Sequence, residues 1–221
     1  MSAIELELFY DYQCVYSNRV ARWLDALEAG IVQVVGRQFA QEQINRDPAA
    51  TTWRLWEQSL DYEHHEGHAR SRALAASLAT ASIEASETTE IARQFRLAVF
   101  EARWTDRRDV SDPTVLVELA AAVGADSAAL ADMLAGSGPS GAERQVAARA
   151  RIAADWAAAR RDFAIFGVPT LRWDGHAPVY LRLDHTPDPD EGAELFASIV
   201  NLRERFPLVL ELKVPPLADP G

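Results

Sequence analysis

Cysteine is almost absent from this chain, since Cys14 is the only one among 221 residues. A single cysteine excludes an intramolecular disulfide, a disulfide-stapled fold and a CxxC redox pair within the chain. No stretch reaches the ~20 continuous apolar residues of a transmembrane helix. The first nine residues lack a basic region followed by a long apolar run, so no export signal is predicted. These absences predict a cytoplasmic protein that does not act at a membrane.

Positive charge is also scarce. Lys and Arg together number 22 against 33 Asp and Glu, which gives a formal net charge of -11 at pH 7. Binding to nucleic acid needs a surplus of basic residues to neutralise phosphates. The sequence therefore predicts no nucleic-acid partner, and its acidity indicates mainly a protein that stays in solution.

The first forty residues have the pattern of a strand, a helix and a second strand. Ile4, Leu6 and Leu8 alternate with Glu5, Glu7 and Phe9, which is the period of a β-strand. Apolar residues then recur at helical spacing over 20–27, before Gly30. A second β-rich run covers Ile31–Phe39. This order is typical of a βαβ unit with parallel strands.

A long middle section, from about Asp47 to Arg161, has helical patterning, including the stretch Trp53–Trp56. Asp112-Pro113 is a helix start, with an acidic cap and proline at the first helical position. The segment Gly136–Gly141 is predicted as a break resembling a flexible linker, and it lacks the pattern of a phosphate-binding loop. A long helix is predicted from Ala142 onward.

Strand patterning returns near the end of the chain. Val168–Trp173 runs into Asp174-Gly175, a hairpin signal, and Val179–Leu183 alternates as the return strand. A final helix is predicted from Asp188 to Arg205. The sequence thus predicts an α/β fold whose sheet is split by a block of helices.

The predicted domain limits follow from that order. One discontinuous α/β domain comprises residues 1–46 and 142–207. A helical insertion occupies 47–141, and residues 208–221 form a C-terminal tail with a strand-like piece.

Cys14 stands between the end of the first strand and the start of the first helix. Unpaired N–H groups at a helix N-terminus carry partial positive charge and favour a thiolate over a thiol. The thiolate is the species that attacks disulfides. A lone cysteine is also commonly a small buried apolar residue, and position alone leaves both interpretations open.

Two motifs carry a resemblance to a known family: Tyr12-Gln13-Cys14-Val15-Tyr16-Ser17 and the distant Val168-Pro169-Thr170. Together with the helices between them they resemble DsbA-like proteins of the thioredoxin fold, over roughly residues 4–205. The chain is also similar to FrnE-like proteins and to 2-hydroxychromene-2-carboxylate isomerases, the relatives of kappa glutathione transferases. The implied fold is a thioredoxin fold with a large α-helical insertion.

The resemblance implies roles for individual residues. Cys14 matches the attacking thiol, Ser17 the resolving position and Pro169 a cis-proline beside the thiol. It further implies that the backbone of Val168 pairs with an extended thiol peptide. Two departures are Ser17 in place of a second cysteine and Val15 in place of the usual proline. The predicted site comprises the catalytic residues Cys14 and Ser17 and the substrate-binding residues Tyr12, Tyr16, Val168, Pro169 and Thr170.

Three functions remain open from the sequence, and the first is favoured because a cysteine, not a serine, holds the leading position of the motif. The first is a thiol–disulfide oxidoreductase in which Cys14 attacks a disulfide and a small thiol, glutathione or mycothiol, releases it. The second is an isomerase or transferase that activates a bound thiol, with Cys14 or Ser17 donating a hydrogen bond. The third is a redox-silent binding protein. None of them implies a tightly bound cofactor, and a homodimer is an open possibility.

Other candidate residues favour structural interpretations. His64 and His68 are four residues apart, but Gly67 interrupts the turn and no third ligand is apparent, so no metal site is predicted. The basic trio Arg103, Arg107 and Arg108 is typical of a solvated surface, although it could hold a carboxylate. Core packing is predicted for most of the following tryptophans, which could otherwise line an aromatic pocket: Trp53, Trp56, Trp104, Trp156 and Trp173.

Overall fold

The structure, a computed structural model, describes residues 3–27, 30–45, 52–61 and 73–211. The strands are β1 Ile4–Tyr10, β2 Val32–Gln38, β3 Thr170–Arg172 and β4 Val179–Tyr180. The helices are α1 Val15–Ala26, α2 Gln41–Asn45, α3 Leu74–Ser86, α4 Thr89–Trp104, α5 Pro113–Ala122, α6 Ser127–Ala135, α7 Gly138–Ala157 and α8 Pro189–Arg205. Two short turns of other helical types occur, a 3-10 turn at Leu55–Glu57 and a π-helical turn at Ala158–Asp162.

The four strands form one sheet in the order β2-β1-β3-β4. β1 pairs with β2 in parallel, and β3 pairs antiparallel with both β1 and β4. The first pairing confirms the βαβ opening, because α1 connects the two parallel strands. β1 lies inside the sheet, and its last three residues, Leu8, Phe9 and Tyr10, are fully buried. The strand end that leads to Cys14 is therefore fixed on both sides.

Several helices begin where the sequence supplies a capping side chain. Asp112 accepts a hydrogen bond from the N–H of Thr114 at 2.9 Å, as the Asp-Pro signal predicts. Asp126 and Thr88 cap α6 and α4 in the same way. Each cap satisfies an N–H group that has no partner within its helix. The helical middle of the chain thus has locally encoded boundaries.

Helix α1, which carries the cysteine loop at its start, packs against α4 and α8. Trp23 on α1 is buried and donates its indole N–H to the Gly192 carbonyl of α8 at 3.0 Å. A Cβ on Gly192 would lie 2.8 Å from the indole nitrogen, so the two helices meet at this residue only because it has no side chain. This contact fixes the orientation of α1 relative to α8.

The predicted break at Gly136–Gly141 is confirmed at its first two residues, because α6 ends at Ala135 and Gly136 takes the left-handed conformation, but it is wrong for the rest of the segment. Helix α7 begins at Gly138, four residues before the predicted Ala142, and Gly141 is buried within it. A Cβ on Gly141 would lie 2.5 Å from the carbonyl oxygen of Asp132. Gly141 therefore allows α6 and α7 to pack closely, so residues 138–141 belong to a helix pair and do not form a flexible linker.

Other predicted elements are shorter than expected. Trp53–Trp56 contributes only to the 3-10 turn, and the helix after His68 is described from Leu74. Residues 206–211 form no strand, and the remainder of the predicted strand-like piece lies outside the described residues. The predicted domain limits stay a prediction. Within the ranges that the structure describes, no helix combines the length and apolarity needed to cross a bilayer.

Candidate active site

Cys14 occupies the position immediately before the first residue of α1. Its backbone is extended, with φ -92° and ψ 112°, and its N–H donates to the Asp11 carbonyl at 3.0 Å. Its own carbonyl accepts from the N–H of Asn18 at 3.2 Å, which is the first hydrogen bond of the helix. The thiol therefore projects from the helix N-terminus, where backbone N–H groups are unpaired and favour negative charge.

The bend at Val168-Pro169 lies directly against this sulfur. The peptide bond between the two residues is cis, and the Cys14 thiol donates to the Val168 carbonyl at 3.4 Å. Thr170 is buried and donates its hydroxyl to the Gly167 carbonyl at 2.7 Å. The N–H of Leu181 donates to the Pro169 carbonyl at 3.1 Å. The structure thus brings together the predicted residues Cys14, Val168, Pro169 and Thr170.

Apolar side chains surround the inner side of Cys14. Phe9, Phe39, Ile165 and Val168 are buried in one cluster with it. Only 8% of the cysteine is exposed. Cys14 is therefore a largely buried residue with a small exposed fraction.

Ser17, the predicted resolving position, faces away from solvent. It is fully buried, and its hydroxyl oxygen accepts from the N–H of Asp11 at 3.4 Å. That contact links the first turn of α1 to the end of β1. Ser17 therefore positions the cysteine loop, and its hydroxyl cannot resolve a mixed disulfide.

Asp11 is a functional residue that the sequence analysis missed. Its two carboxylate oxygens accept from the N–H of Gln13 at 2.7 Å and from the N–H of Gln41 at 2.9 Å. Burial raises the pKa of the Asp11 carboxyl to about 6, against the opposing effect of these two hydrogen bonds. Asp11 thus orders the three-residue turn before Cys14 and connects it to the start of α2. Only the bond to Gln13, an Asx turn, is predictable from the sequence.

We expect Asp11 to make stability depend on pH between about 4 and 6. The folded protein binds a proton at this carboxyl up to pH about 6, whereas the unfolded chain releases it near the ordinary value of 3.8. The folded state therefore holds more protons in this interval, and the free energy of unfolding falls as pH rises through it. Asp11→Asn removes this titrating group and also one hydrogen-bond acceptor, and the lost acceptor affects stability equally at every pH. The free energy of unfolding of the variant, relative to that of the parent, should therefore rise by about 2 kcal/mol between pH 4 and pH 7.

Urea unfolding of both proteins at pH 4, 5, 6 and 7 measures this difference. Glu5→Gln provides a charge-matched control, because Glu5 lies on the same strand and is exposed. A difference between Asp11→Asn and the parent that stays constant across this pH range would contradict the assignment.

The prediction that Tyr12 binds substrate is wrong. Tyr12 is fully buried, and its hydroxyl forms a 2.7 Å hydrogen bond with Thr80 of α3. Its ring packs against Tyr10 and Phe100, with centroids 5.3 and 4.7 Å away. Burial raises the pKa of the Tyr12 hydroxyl. The residue belongs to the core because the helical insertion covers the loop that the sequence suggested would be exposed.

Tyr16, the other predicted tyrosine, lies at the surface of the site. The Arg182 guanidinium lies 4.0 Å from the centroid of its ring and donates to its hydroxyl. Tyr180 and Phe166 stack nearby with centroids 5.1 Å apart, and they are 40% and 66% exposed. These residues form the outer rim of the site. The sequence did not predict Arg182 and Tyr180 as site residues. Alternation along the return strand nevertheless places both side chains on the solvent side of that strand.

Two of the arginines and the tryptophans considered in the sequence analysis have structural contacts. Arg108 forms an ion pair with Glu118, and Arg103 lies over Trp104 with the guanidinium carbon 5.1 Å from the ring centroid. All five tryptophans of the predicted set pack on the main core. His64 and His68 lie outside the described residues, and the part of the chain that is described holds no cluster of three metal-ligating side chains.

Comparisons with known proteins agree with this geometry. The family model of the DSBA-like thioredoxin domain matches residues 5–191. No match is found among curated proteins. A cytosolic disulfide reductase, DsbM from Pseudomonas aeruginosa, superposes with a TM-score of 0.54 at 19% identity, covering 90% of this chain and 100% of DsbM.

Two further solved structures have the same fold. DsbM from Pseudomonas aeruginosa with GSH gives a TM-score of 0.54 at 18% identity, covering 90% of this chain and 100% of that one. MdbA, a thiol-disulfide oxidoreductase from Corynebacterium matruchotii, superposes with a TM-score of 0.54 at 14% identity. The match covers 81% of this chain and 77% of MdbA. At these identities the likeness shows the fold, and the family match covers most of the chain. The predicted fold class is confirmed, and the chain belongs to the DSBA-like thioredoxin domain family, a family of thiol–disulfide oxidoreductases.

Proposed function

We propose that this protein is a thiol–disulfide oxidoreductase that uses Cys14 as its only nucleophile and a small thiol as co-substrate. One observation carries the proposal: the Cys14 sulfur lies 3.4 Å from the Val168 carbonyl, at the N-terminus of α1. The helix end presents unpaired N–H groups beside the sulfur, and the bend offers backbone groups on which a disulfide can be aligned.

The reaction proceeds in two balanced exchanges. The Cys14 thiolate attacks one sulfur of a disulfide, a bond forms between the two sulfurs, and the leaving thiolate takes a proton from solvent. A small thiolate then attacks the mixed disulfide at its non-protein sulfur. This second step forms a small-molecule disulfide and returns Cys14 to its starting state.

An external thiol is needed because the chain has no second cysteine. Ser17 holds the place of a resolving residue, and its hydroxyl is buried against the backbone of Asp11. Because only a small fraction of Cys14 is exposed, a small thiol such as glutathione or mycothiol suits the site better than a protein thiol does. The DsbM structure with GSH supports a small-thiol ligand on this fold.

Backbone pairing at Val168 would align the substrate. The side chains of Val168 and Pro169 are buried. A substrate beside the thiol can therefore contact only the backbone of these two residues. An extended cysteine-containing peptide would pair with this segment as a strand does. Tyr16 would lie beside the same peptide.

The compartment follows from the chemistry. A site with one thiol and an external reductant works where small thiols are kept reduced, which is the cytoplasm. The cytosolic DsbM of the same fold supports this location. We further propose that no cofactor is tightly bound.

Exposure of the protein to glutathione disulfide tests the proposal. We expect intact mass spectrometry to show one glutathionyl group on Cys14, and excess glutathione should remove it. The same protein in urea is the matched control, because it carries the same thiol without the helix end and the bend. At pH 7 the folded protein should react about tenfold faster than the unfolded chain, since the Val168-Pro169 bend aligns the disulfide against the sulfur.

Slower reaction of the folded protein than of the unfolded chain would contradict the proposal. If, in addition, glutathione did not release the mixed disulfide, the two results would favour the alternative that the protein is a redox-silent binding protein.

A further inference from the structure

Two arginines near the thiol, Arg19 and Arg182, form none of the ion pairs with carboxylates that several other arginines of the described chain form. The chain holds 33 acidic residues against 22 basic ones, and arginines such as Arg37, Arg93 and Arg172 form ion pairs. Within the described residues, Arg19 and Arg182 form none. In so acidic a protein, two cations without a counter-charge at one place leave a local excess of positive charge.

The two arginines flank one ring, that of Tyr16. The guanidinium carbon of Arg182 lies 4.0 Å from the ring centroid and that of Arg19 lies 5.4 Å from it. Arg182 also donates to the Tyr16 hydroxyl, and Arg19 donates to the Leu183 carbonyl at 2.9 Å. These contacts fix both cations on the residue that stands two positions after Cys14.

Arg182 is exposed and within electrostatic range of the reactive sulfur. The hydrogen bond to Tyr16 raises the pKa of Arg182, and negative charge at Cys14 adds to that effect. The guanidinium is therefore charged at every relevant pH, and a part of it remains open to solvent. A planar guanidinium can donate two parallel hydrogen bonds to a carboxylate.

We propose that Arg182, with Arg19 beside it, binds a carboxylate of the thiol or disulfide that reacts with Cys14. This inference rests on the proposed function and names its substrate class. Glutathione carries two carboxylates, one at each end of the tripeptide. In mycothiol the cysteine carboxyl is consumed in an amide with an amino sugar, so no carboxylate remains. The arginine pair therefore selects glutathione and other carboxylate-bearing thiols over uncharged ones.

Oxidised glutathione and its fully ethyl-esterified form test this selection. The two molecules share the disulfide and the peptide, but the ester has no negative charge and retains its ammonium groups. The net charge of the whole protein attracts the ester and repels oxidised glutathione. A preference for oxidised glutathione therefore runs against the net charge, and its loss in Arg182→Gln would assign it to the local positive charge of that residue.

We expect the second-order rate of Cys14 modification to be about tenfold higher with oxidised glutathione than with the ester, the low end of the effect of a charge-assisted hydrogen bond. Arg182→Gln should remove this preference by slowing only the reaction with oxidised glutathione. Arg144→Gln is the matched control, because it makes the same charge change on α7 and Arg144 is exposed there. Alkylation by neutral iodoacetamide corrects each variant for any change in the thiolate fraction.

The outcomes separate the two proposals. Equal rates with both disulfides, or an unchanged preference in Arg182→Gln, would overturn the carboxylate site while Cys14 remained an active nucleophile. Failure of Cys14 to react with either disulfide would overturn the proposed function itself. Equal loss of preference in Arg144→Gln would show an effect of net charge and would also overturn the site.

Discussion

Replacing Cys14 with serine should reduce disulfide exchange to the rate of the uncatalysed reaction, a loss of about a thousandfold or more. A hydroxyl is not ionised near neutral pH and does not attack disulfides, and no second thiol exists to substitute for it. The Ser17 hydroxyl is buried and bonded to the backbone of Asp11, so it cannot take over the reaction. The effect is large because the whole proposed cycle passes through one sulfur.

The measurement is turnover of a glutathione mixed disulfide with excess glutathione. Serine has nearly the shape of cysteine and can donate to the Val168 carbonyl in its place, so the variant should unfold at nearly the same urea concentration as the parent. Cys14→Ala is the companion variant, because it lacks this donor as well. Turnover that persists in Cys14→Ser but disappears in Cys14→Ala would contradict attack by Cys14, and it would favour the isomerase-type site that activates a bound thiol.

Replacing Tyr12 with alanine should destabilise the protein by about 3–5 kcal/mol, although the residue lies only two positions before Cys14. Its ring is fully buried against Tyr10 and Phe100, and its hydroxyl bonds to Thr80. Truncation would leave a cavity where the cysteine loop meets the helical insertion, and it would leave the Thr80 hydroxyl without this bond. Urea unfolding of the variant measures the loss.

Tyr16→Ala provides the matched control on the other side of Cys14. Tyr16 is only partly buried, so its truncation should cost about 1 kcal/mol or less. Its effect should instead fall on the reaction of Cys14 with oxidised glutathione, because Tyr16 fixes Arg182 and Arg19. Equal losses of stability in the two variants would contradict the assignment of one tyrosine to the core and the other to the site.

The placement of the reactive cysteine was largely predictable from the sequence. Alternation over residues 4–9 predicted β1, and helical spacing after Cys14 predicted α1. The second motif, Val168-Pro169-Thr170, forms the bend that meets Cys14 in the structure. Local signals succeed here because strand, helix start and hairpin each depend mainly on neighbouring residues.

The outer rim of the site was harder to predict. Arg182 lies far along the chain from Tyr16, and no local pattern states that the return strand brings them together. The second carboxylate bond of Asp11, to Gln41, likewise depends on how β1 and α2 meet. Gly141, in the first turn of α7, led to the opposite error, because a close helix contact and a flexible linker both favour residues without side chains.

The amino-acid sequence by itself determined that this protein has one thiol, that the thiol stands at the start of a helix after a strand, and that the strands are separated by helices. The tertiary structure alone decided which side chains surround that thiol: Tyr12 turned into the core, whereas Tyr16, Arg182 and Tyr180 formed the rim. The physical reason is the range of the interactions. Periodicity and capping act within a few residues of the chain, whereas burial and charge pairing depend on segments that only folding brings into contact.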